Sequence, residues 1–503
     1  IAPYYEIIQA LWYNSPMTIP PSMRRLGRVW ALFAMCGLFG ALGTAAFSAA
    51  APKEMPAAEI EAKPQASQAD LIRAQMDARR AAEAPSTALE RSVSLLGLFA
   101  LIGLCWLMST DRKKINWTLV AWGMALQLLF GIIILKTGPG LWFFAKLNEG
   151  TMALLGFTNE GVKFLFGSFV TGRVETPMIN FAFNVLPTII FVSALMTVGY
   201  HIGLMQWIVD LFAVVMYKTM KTSGAETLST AANIFVGQTE APLVVKPYVA
   251  DMTNSELMAI MVGGFANTAG GVLAAYVGML HQYFPDIAGH LIAQSVMSAP
   301  AALVCAKIAM PETGTPKTLG HVKMGREKLD ANVIDAAARG ASEGLSLAFN
   351  VAAMLLAFIA LIAMLNALIK AAGSWVGYPQ VSLENILALV GWPIAWLMGV
   401  PVQDCWTVGK LIGVKTVLNE FVAYLQLTDI LKSGQPLTHR SVIIVSYALS
   451  GFANFSSIAI QIGGISGIAP TRRHDLAKLG LKAMVVGAIA TFMTANIAGI
   501  LIP

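Results

Sequence analysis

Two carboxylates stand where an apolar chain has least reason to keep them. Glu240 lies in Gly237-Gln-Thr-Glu-Ala-Pro242 and Glu420 in Lys415-Thr-Val-Leu-Asn-Glu-Phe421, each among Val, Leu and Ala. An ionisable group retained in such surroundings marks a functional site by default, because an unpaired buried charge is costly. Each acid is followed by the same four residues, Gly264-Phe-Ala-Asn267 and Gly451-Phe-Ala-Asn454, with acid-to-Asn spacings of 27 and 34 residues. Gly and a polar residue inside an apolar run interrupt a helix and free backbone N–H and C=O groups that must find partners. Freed carbonyls with Asn233, Thr239, Asn267 and Thr268 make a hard oxygen set that suits Na+. Carboxylates and amides at the same places suit hydrogen bonding to a polar organic molecule. The competing explanation is a structural ion pair, Glu240 with Lys246 or Glu420 with Lys415. For Phe452 it is plain core packing.

The elements that must hold these groups are apolar helices. Of 503 residues, 56% are hydrophobic and 12% charged, with a mean hydropathy of +0.65. A soluble chain carries roughly 25% charged residues. The apolar runs 93–108, 117–135, 345–369 and 479–502 approach or exceed the roughly 20 residues that cross a bilayer. The fold class expected is an all-α polytopic membrane protein with about eight core transmembrane helices. The net charge of +6 is spread over short loops, which is topology information rather than a nucleic-acid footprint. Arg112, Lys113 and Lys114 mark one inner loop, Lys317, Lys323, Arg326 and Lys328 another, and Arg472, Arg473, Lys478 and Lys482 a third. Both ends of the core then lie outside. The four cysteines and six histidines show no metal or redox spacing, so no cofactor and no catalytic residue is expected.

Residues 222–250 and 404–430 are too polar to cross lipid and too apolar for loops, which predicts re-entrant hairpins. Each precedes a broken helix, 255–280 and 440–468. This is the pattern of inverted repeats with a site at their interface. A long helix is expected over 178–216 and an interfacial helix within 139–170. At the N-terminus, 1–22 stay unassigned. Residues 23–51 read as a signal peptide or an extra transmembrane helix, 52–91 as an external linker with a helical stretch near 69–84, and 92–503 as the transport core.

At these motifs the chain resembles the concentrative nucleoside transporters. Gly237-Gln-Thr-Glu-Ala-Pro242, Lys415-Thr-Val-Leu-Asn-Glu-Phe421 and Gly451-Phe-Ala-Asn-Phe-Ser-Ser457 carry the resemblance. Val185-Leu-Pro187, Pro311-Glu-Thr313, Asn332-Val-Ile-Asp335 and Ala469-Pro-Thr-Arg-Arg473 support it. The resemblance implies a homotrimer in a bacterial inner membrane, with a scaffold and a mobile transport domain in each subunit, importing nucleosides with Na+ or, in some branches, H+. It implies base recognition by Gln238, Thr239 and Glu240, with Val272 packing on the base. It implies a ribose site at Glu420, Asn454 and Ser457 with Phe452 nearby. The Na+ ligands it implies are Asn233, the Val236 carbonyl, Asn267 and the Thr268 carbonyl. The family pattern has Ser or Thr at position 267 and Ile or Val at 268, so Asn267 and Thr268 depart from it, while the retained Thr239-Glu-Ala-Pro242 favours the Na+ branch. An intramembrane enzyme would need a nucleophile–base pair or a metal set, and neither motif holds a His or Cys. A channel fits two carboxylate-bearing tips less well than a closed organic site does.

Overall fold

The computed structural model describes residues 87–166, 186–318, 330–375, 381–433 and 437–502. The expectations for 1–86, including the leader, the linker and its helix, lie outside the described residues. Among the described residues every regular element is helical. Helices α1 (Ala88–Leu107) and α2 (Trp117–Lys136) are each started by a side-chain cap: Thr87 forms a reciprocal box with Glu90, and Asn116 accepts from the Thr118 and Leu119 amides. Helix α3 (Gly138–Phe166) occupies much of the stretch expected to hold an interfacial helix.

The next element corrects an expectation. Instead of one helix to residue 216, the chain forms α4 (Leu186–His201) and α5 (Leu204–Met220), bent by 77° between them. Gly203 sits at the bend with φ +85°, a conformation only glycine adopts freely.

The two segments that carry the repeated Gly-Phe-Ala-Asn motif follow. The first has α6 (Gly224–Ala232), a 3-10 turn (Ala241–Val245) and one helical turn (Lys246–Val249), then α7 (Asn254–Ala266) and α8 (Gly270–Leu280). Its returning arm is split into two short turns because Pro247 lacks the amide that would bond back to the preceding turn. After α9 (Ile287–Ala309) and the long α10 (Val333–Trp375) comes α11 (Leu383–Leu397). The second repeat has two full helical arms, α12 (Val402–Val417) and α13 (Glu420–Lys432). The broken pair α14 (His439–Leu449) and α15 (Phe455–Ile468) follows, and α16 (Arg473–Leu501) closes the chain.

Helices α7, α9 and α16 form the centre and are buried over most of their length. Large apolar side chains such as Phe99, Trp122, Phe349 and Leu389 point outward from α1, α2, α10 and α11. Large apolar side chains exposed in such number suit lipid rather than water. Five helices among the described residues are long and apolar enough to cross a membrane, six if the bent pair counts as one. The expected eight spans also include 345–369, which falls inside α10.

In each motif-bearing segment a buried carboxylate ties the start of the first helix to the start of the helix that ends at the Gly-Phe-Ala-Asn break. In the first, Ser223, which caps α6, donates to Glu256 in the first turn of α7 at 2.6 Å. In the second, Asp404 in the first turn of α12 accepts from Thr438, the cap of α14, at 2.8 Å and from Ser441 at 2.5 Å. Lys307, near the end of α9, adds a buried ion pair to Glu226 at 2.6 Å and a bond to Ser255 at 2.9 Å. Arg472 links the repeats by donating to the Met252 carbonyl and, at 2.9 Å, to Asn254 Oδ1.

Candidate functional site

Four asparagines stand at the helix ends that the two breaks and tips create. Asn233 ends α6 and Asn267 ends α7, whereas Asn419 begins α13 and Asn454 begins α15. The sign of the local field differs accordingly. Helix C-termini expose carbonyl oxygens and partial negative charge, and N-termini expose amides and partial positive charge. The first repeat therefore offers a cation-favouring corner. The second offers one that favours carboxylate and hydroxyl oxygens.

In the first corner the two side chains meet at Gly263. Asn267 Nδ2 donates to the Gly263 carbonyl at 3.3 Å, and a Cβ on Gly263 would lie 3.3 Å from Asn233 Nδ2. Asn267 Oδ1 accepts a short bond from the Ser298 hydroxyl. Asn233 Oδ1 is different: the residue is 1% exposed and this oxygen has no hydrogen-bond partner. A buried acceptor left without a donor costs about 1–3 kcal/mol, so it is poised for a ligand that attracts oxygen lone pairs. Val236 is half-buried on the tip, and the Thr268 hydroxyl pairs with Ser450 Oγ at 3.0 Å.

In the second corner a continuous polar path crosses the repeat interface. Glu420 accepts from Asn454 Nδ2 at 2.8 Å and from the Tyr276 hydroxyl at 3.2 Å. Asn454 Oδ1 caps α15 by accepting from the Ser457 amide at 2.9 Å. Ser457 Oγ accepts from Gln238 Nε2 at 3.2 Å. Tip one, tip two and the second break are thus joined through Gln238, Ser457, Asn454 and Glu420. Lys415 does not neutralise Glu420 by direct contact. Its ammonium donates to the Ala448 carbonyl near the C-terminus of α14 at 2.8 Å and lies 5.6 Å over the Phe492 ring. Phe452 and Val272 are buried, Val272 one turn before Tyr276 on α8.

Thr239 and Glu240 are not drawn into this path. Glu240 is exposed, folds back over Gly237 and accepts from Thr239 Oγ1 at 2.9 Å. Tyr276 and Gln294 escaped sequence reasoning. Tyr276, stacked on Tyr424 at 4.2 Å, had one available signal, its i+4 spacing from Val272 on the same face of α8. Gln294, on α9, lies outside both repeats' motifs. Its amide donates to the Ala266 carbonyl at 3.2 Å and the Ser450 carbonyl at 3.1 Å, so it satisfies both breaks at once.

Three family models match in chain order. They are described as "Na+ dependent nucleoside transporter N-terminus" over residues 96–169, "Nucleoside recognition" over 182–283, and "Na+ dependent nucleoside transporter C-terminus" over 290–499. An uncharacterized transporter of Haemophilus influenzae is 43% identical over 412 residues, covering 81% of this chain and 97% of the relative. The chain is a member of the concentrative nucleoside transporter family. Solute carrier family 28 member 3 of Eptatretus stoutii is 43% identical over 422 residues, 81% of this chain, which spans only 60% of that longer relative. Among solved structures, CNTnw in an inward-facing substrate-bound state has a TM-score of 0.74 and 43% identity, covering 81% of this chain and 97% of that one. These relatives are named as transporters or solute carriers, not as enzymes. In this family member the matched regions include every residue of both corners.

Proposed function

We propose that this chain is a symporter that imports nucleosides across a bacterial inner membrane, driven by Na+. The observation that carries the reading is the opposed polarity of the two corners. Two helix C-termini and the unpartnered Asn233 Oδ1 form one, and two helix N-termini with Glu420 form the other. A cation belongs at the first, with Asn233, Asn267 and the Val236 and Thr268 carbonyls as ligands, and supplies the downhill gradient. A nucleoside belongs beside the second. There Glu420, Asn454 and Ser457 receive ribose hydroxyls, with Phe452 alongside. Gln238, Thr239 and Glu240 face the base, and Val272 packs against it. In this reading 222–250 and 404–430 are re-entrant, the core has eight spans with both ends periplasmic, and three copies assemble around their scaffolds.

Proteoliposomes loaded without Na+ and diluted into Na+ test the proposal. Saturable accumulation of labelled uridine or adenosine that collapses when the gradient is removed is expected. Uptake that ignores Na+ and follows a pH gradient overturns the Na+ assignment. One observation favours that second reading, proton coupling: the Asn267 amide is already engaged on both sides, by Ser298 and by Gly263. A cysteine placed at Ser67 tests the topology. An impermeant thiol reagent added outside labels it if 52–91 are external.

A further inference from the structure

Gln461 belongs to no motif singled out above, yet it sits beside the candidate base contacts. It lies on α15 one turn beyond Ser457 and is fully buried. Its Nε2 donates to Gln238 Oε1 at 3.1 Å and to the Met261 carbonyl at 3.1 Å. Its Oε1 is buried and has no hydrogen-bond partner. Gln238 in turn donates from Nε2 to Ser457 Oγ.

A carboxamide has one accepting and one donating end, and something must decide which way it faces. Ser457 cannot decide it, because a hydroxyl both donates and accepts. Gln461 does: with its own Nε2 aimed at Gln238, the carbonyl end of Gln238 must be the end that faces Gln461. The NH2 end is left on the Ser457 side. Space for the pair comes from Gly264, where a Cβ would stand 2.7 Å from Gln461 Nε2 and 3.0 Å from Gln238 Cβ. The next turn of α15 presses on the same tip, since a Cβ on Gly464 would reach within 2.7 Å of Thr239 Cγ2.

We propose that Gln461 is a specificity-determining positioning residue, which fixes the Gln238 amide so that its NH2 donor, rather than its carbonyl, meets the nucleobase. The inference rests on the reading of Gln238 as a base contact. The site then favours a base edge that presents an oxo group over the same edge carrying an amino group. Uridine is favoured over cytidine and inosine over adenosine, by several-fold to about tenfold for one hydrogen bond gained or lost.

Gln461→Glu removes the donor and supplies an acceptor. Gln238 then turns its NH2 towards residue 461 and its carbonyl towards Ser457, whose hydroxyl becomes the donor. Gln461→Met keeps the length but releases the amide. The experiment measures competition by cytidine and inosine, and by uridine and adenosine, against labelled uridine bound to purified protein. Each variant is made alone and combined with Gln238→Leu. The expected result is an oxo-to-amino preference reversed in Gln461→Glu and close to one in Gln461→Met, with neither change surviving in the Gln238→Leu background. An unchanged ratio in either folded variant, or a shift that persists without Gln238, overturns the proposal. If Gln461→Glu fails to elute as a folded species, Gln461→Met and Gly264→Ala, which displaces the same two amides, decide it. Wild-type protein that binds no nucleoside overturns the transporter reading and this inference together. Wild-type binding with ratios untouched by the variants overturns this inference alone.

Discussion

Gln294 and Ser450 bond each other twice. Gln294 Nε2 donates to the Ser450 carbonyl at 3.1 Å, and the Ser450 hydroxyl donates back to Gln294 Oε1 at 2.7 Å. The same Nε2 reaches the Ala266 carbonyl, where α7 breaks. The two breaks also touch directly. Gly451 has φ +141°, and a Cβ there would lie 3.0 Å from the carbonyl oxygens of both Phe265 and Ala266. One amide from α9 therefore donates to a carbonyl at each break, that of Ala266 being otherwise approached by Thr491 Oγ1 at 3.5 Å, and fastens the two broken helices together.

Gln294→Leu should destabilise the folded protein by about 2–6 kcal/mol, since it takes the amide donor from two buried carbonyls at about 1–3 kcal/mol each. Gln294→Glu should be nearly as costly, because those carbonyls need a donor and a carboxylate offers none. Thermal unfolding of detergent-purified protein reads the effect. A Gln294→Leu variant that melts with the wild type would mean that the breaks find other partners.

Lys307 makes a second, electrostatic joint. It is 2.6 Å from Glu226 at the base of the first hairpin and 3.4 Å from Glu312. Removing one partner of a buried pair leaves an uncompensated charge and costs about 3–5 kcal/mol. Lys307→Met is expected to lose that much, and Lys307→Met with Glu226→Gln to recover a large part. If the double variant is no more stable than the single one, the pair is not the cause.

The cation corner separates its two asparagines. Asn233→Leu removes the buried Oδ1 that no donor reaches and should abolish Na+ dependence while leaving the protein folded. Asn267→Ser should keep transport but shift apparent Na+ affinity, because the shorter side chain gives up the Ser298 contact and offers its oxygen at a different reach. Initial rates of uridine uptake against Na+ concentration distinguish the two. Unchanged Na+ curves for Asn267→Ser and for Asn267→Ala would remove that side chain from the ligand set.

The sequence discloses the corners better than their wiring. Glu420 stood out because a polar residue in an apolar run is costly enough to need a reason, the repeated Gly-Phe-Ala-Asn marked Asn454 and pointed to broken helices, and Ser457 came only from the family resemblance; the fold links the three. The positions of Gln294, Tyr276 and Gln461 were not legible. A lone Gln or Tyr in an apolar helix looks the same whether it faces a neighbour's broken end or ordinary core, and only the crossing of α8, α9 and α15 decides. The bend at Gly203 was missed for a related reason: a single glycine in an apolar helical pattern is usually tolerated, and only its φ of +85° reveals the break.

Glu420 supports the sharpest test of the substrate corner. Its two oxygens are already held, one by the Asn454 amide and one by the Tyr276 hydroxyl, yet a carboxylate has about four lone-pair sites. The remaining lone pairs are what adjacent ribose hydroxyls would use. Glu420→Gln keeps the shape and has a stable orientation: its oxygen accepts from Asn454, and its NH2 donates to Tyr276, whose hydroxyl rotates to accept. The fold should therefore survive, with melting close to wild type. Binding should not. Charge-assisted bonds contribute about 1.5–3 kcal/mol, so uridine affinity should fall roughly ten- to a hundredfold. The gap between ribonucleosides and their 2′- or 3′-deoxy analogues should narrow as well, since the discriminating acceptor is gone. Glu240→Gln is the control, because Glu240 lies off the Glu420–Asn454–Ser457 path and should leave that gap nearly unchanged. Tyr276→Phe frees one Glu420 oxygen without discharging it and should cost only a few-fold. Wild-type affinity and an intact ribose preference in folded Glu420→Gln would make Glu420 a structural charge and move the sugar elsewhere.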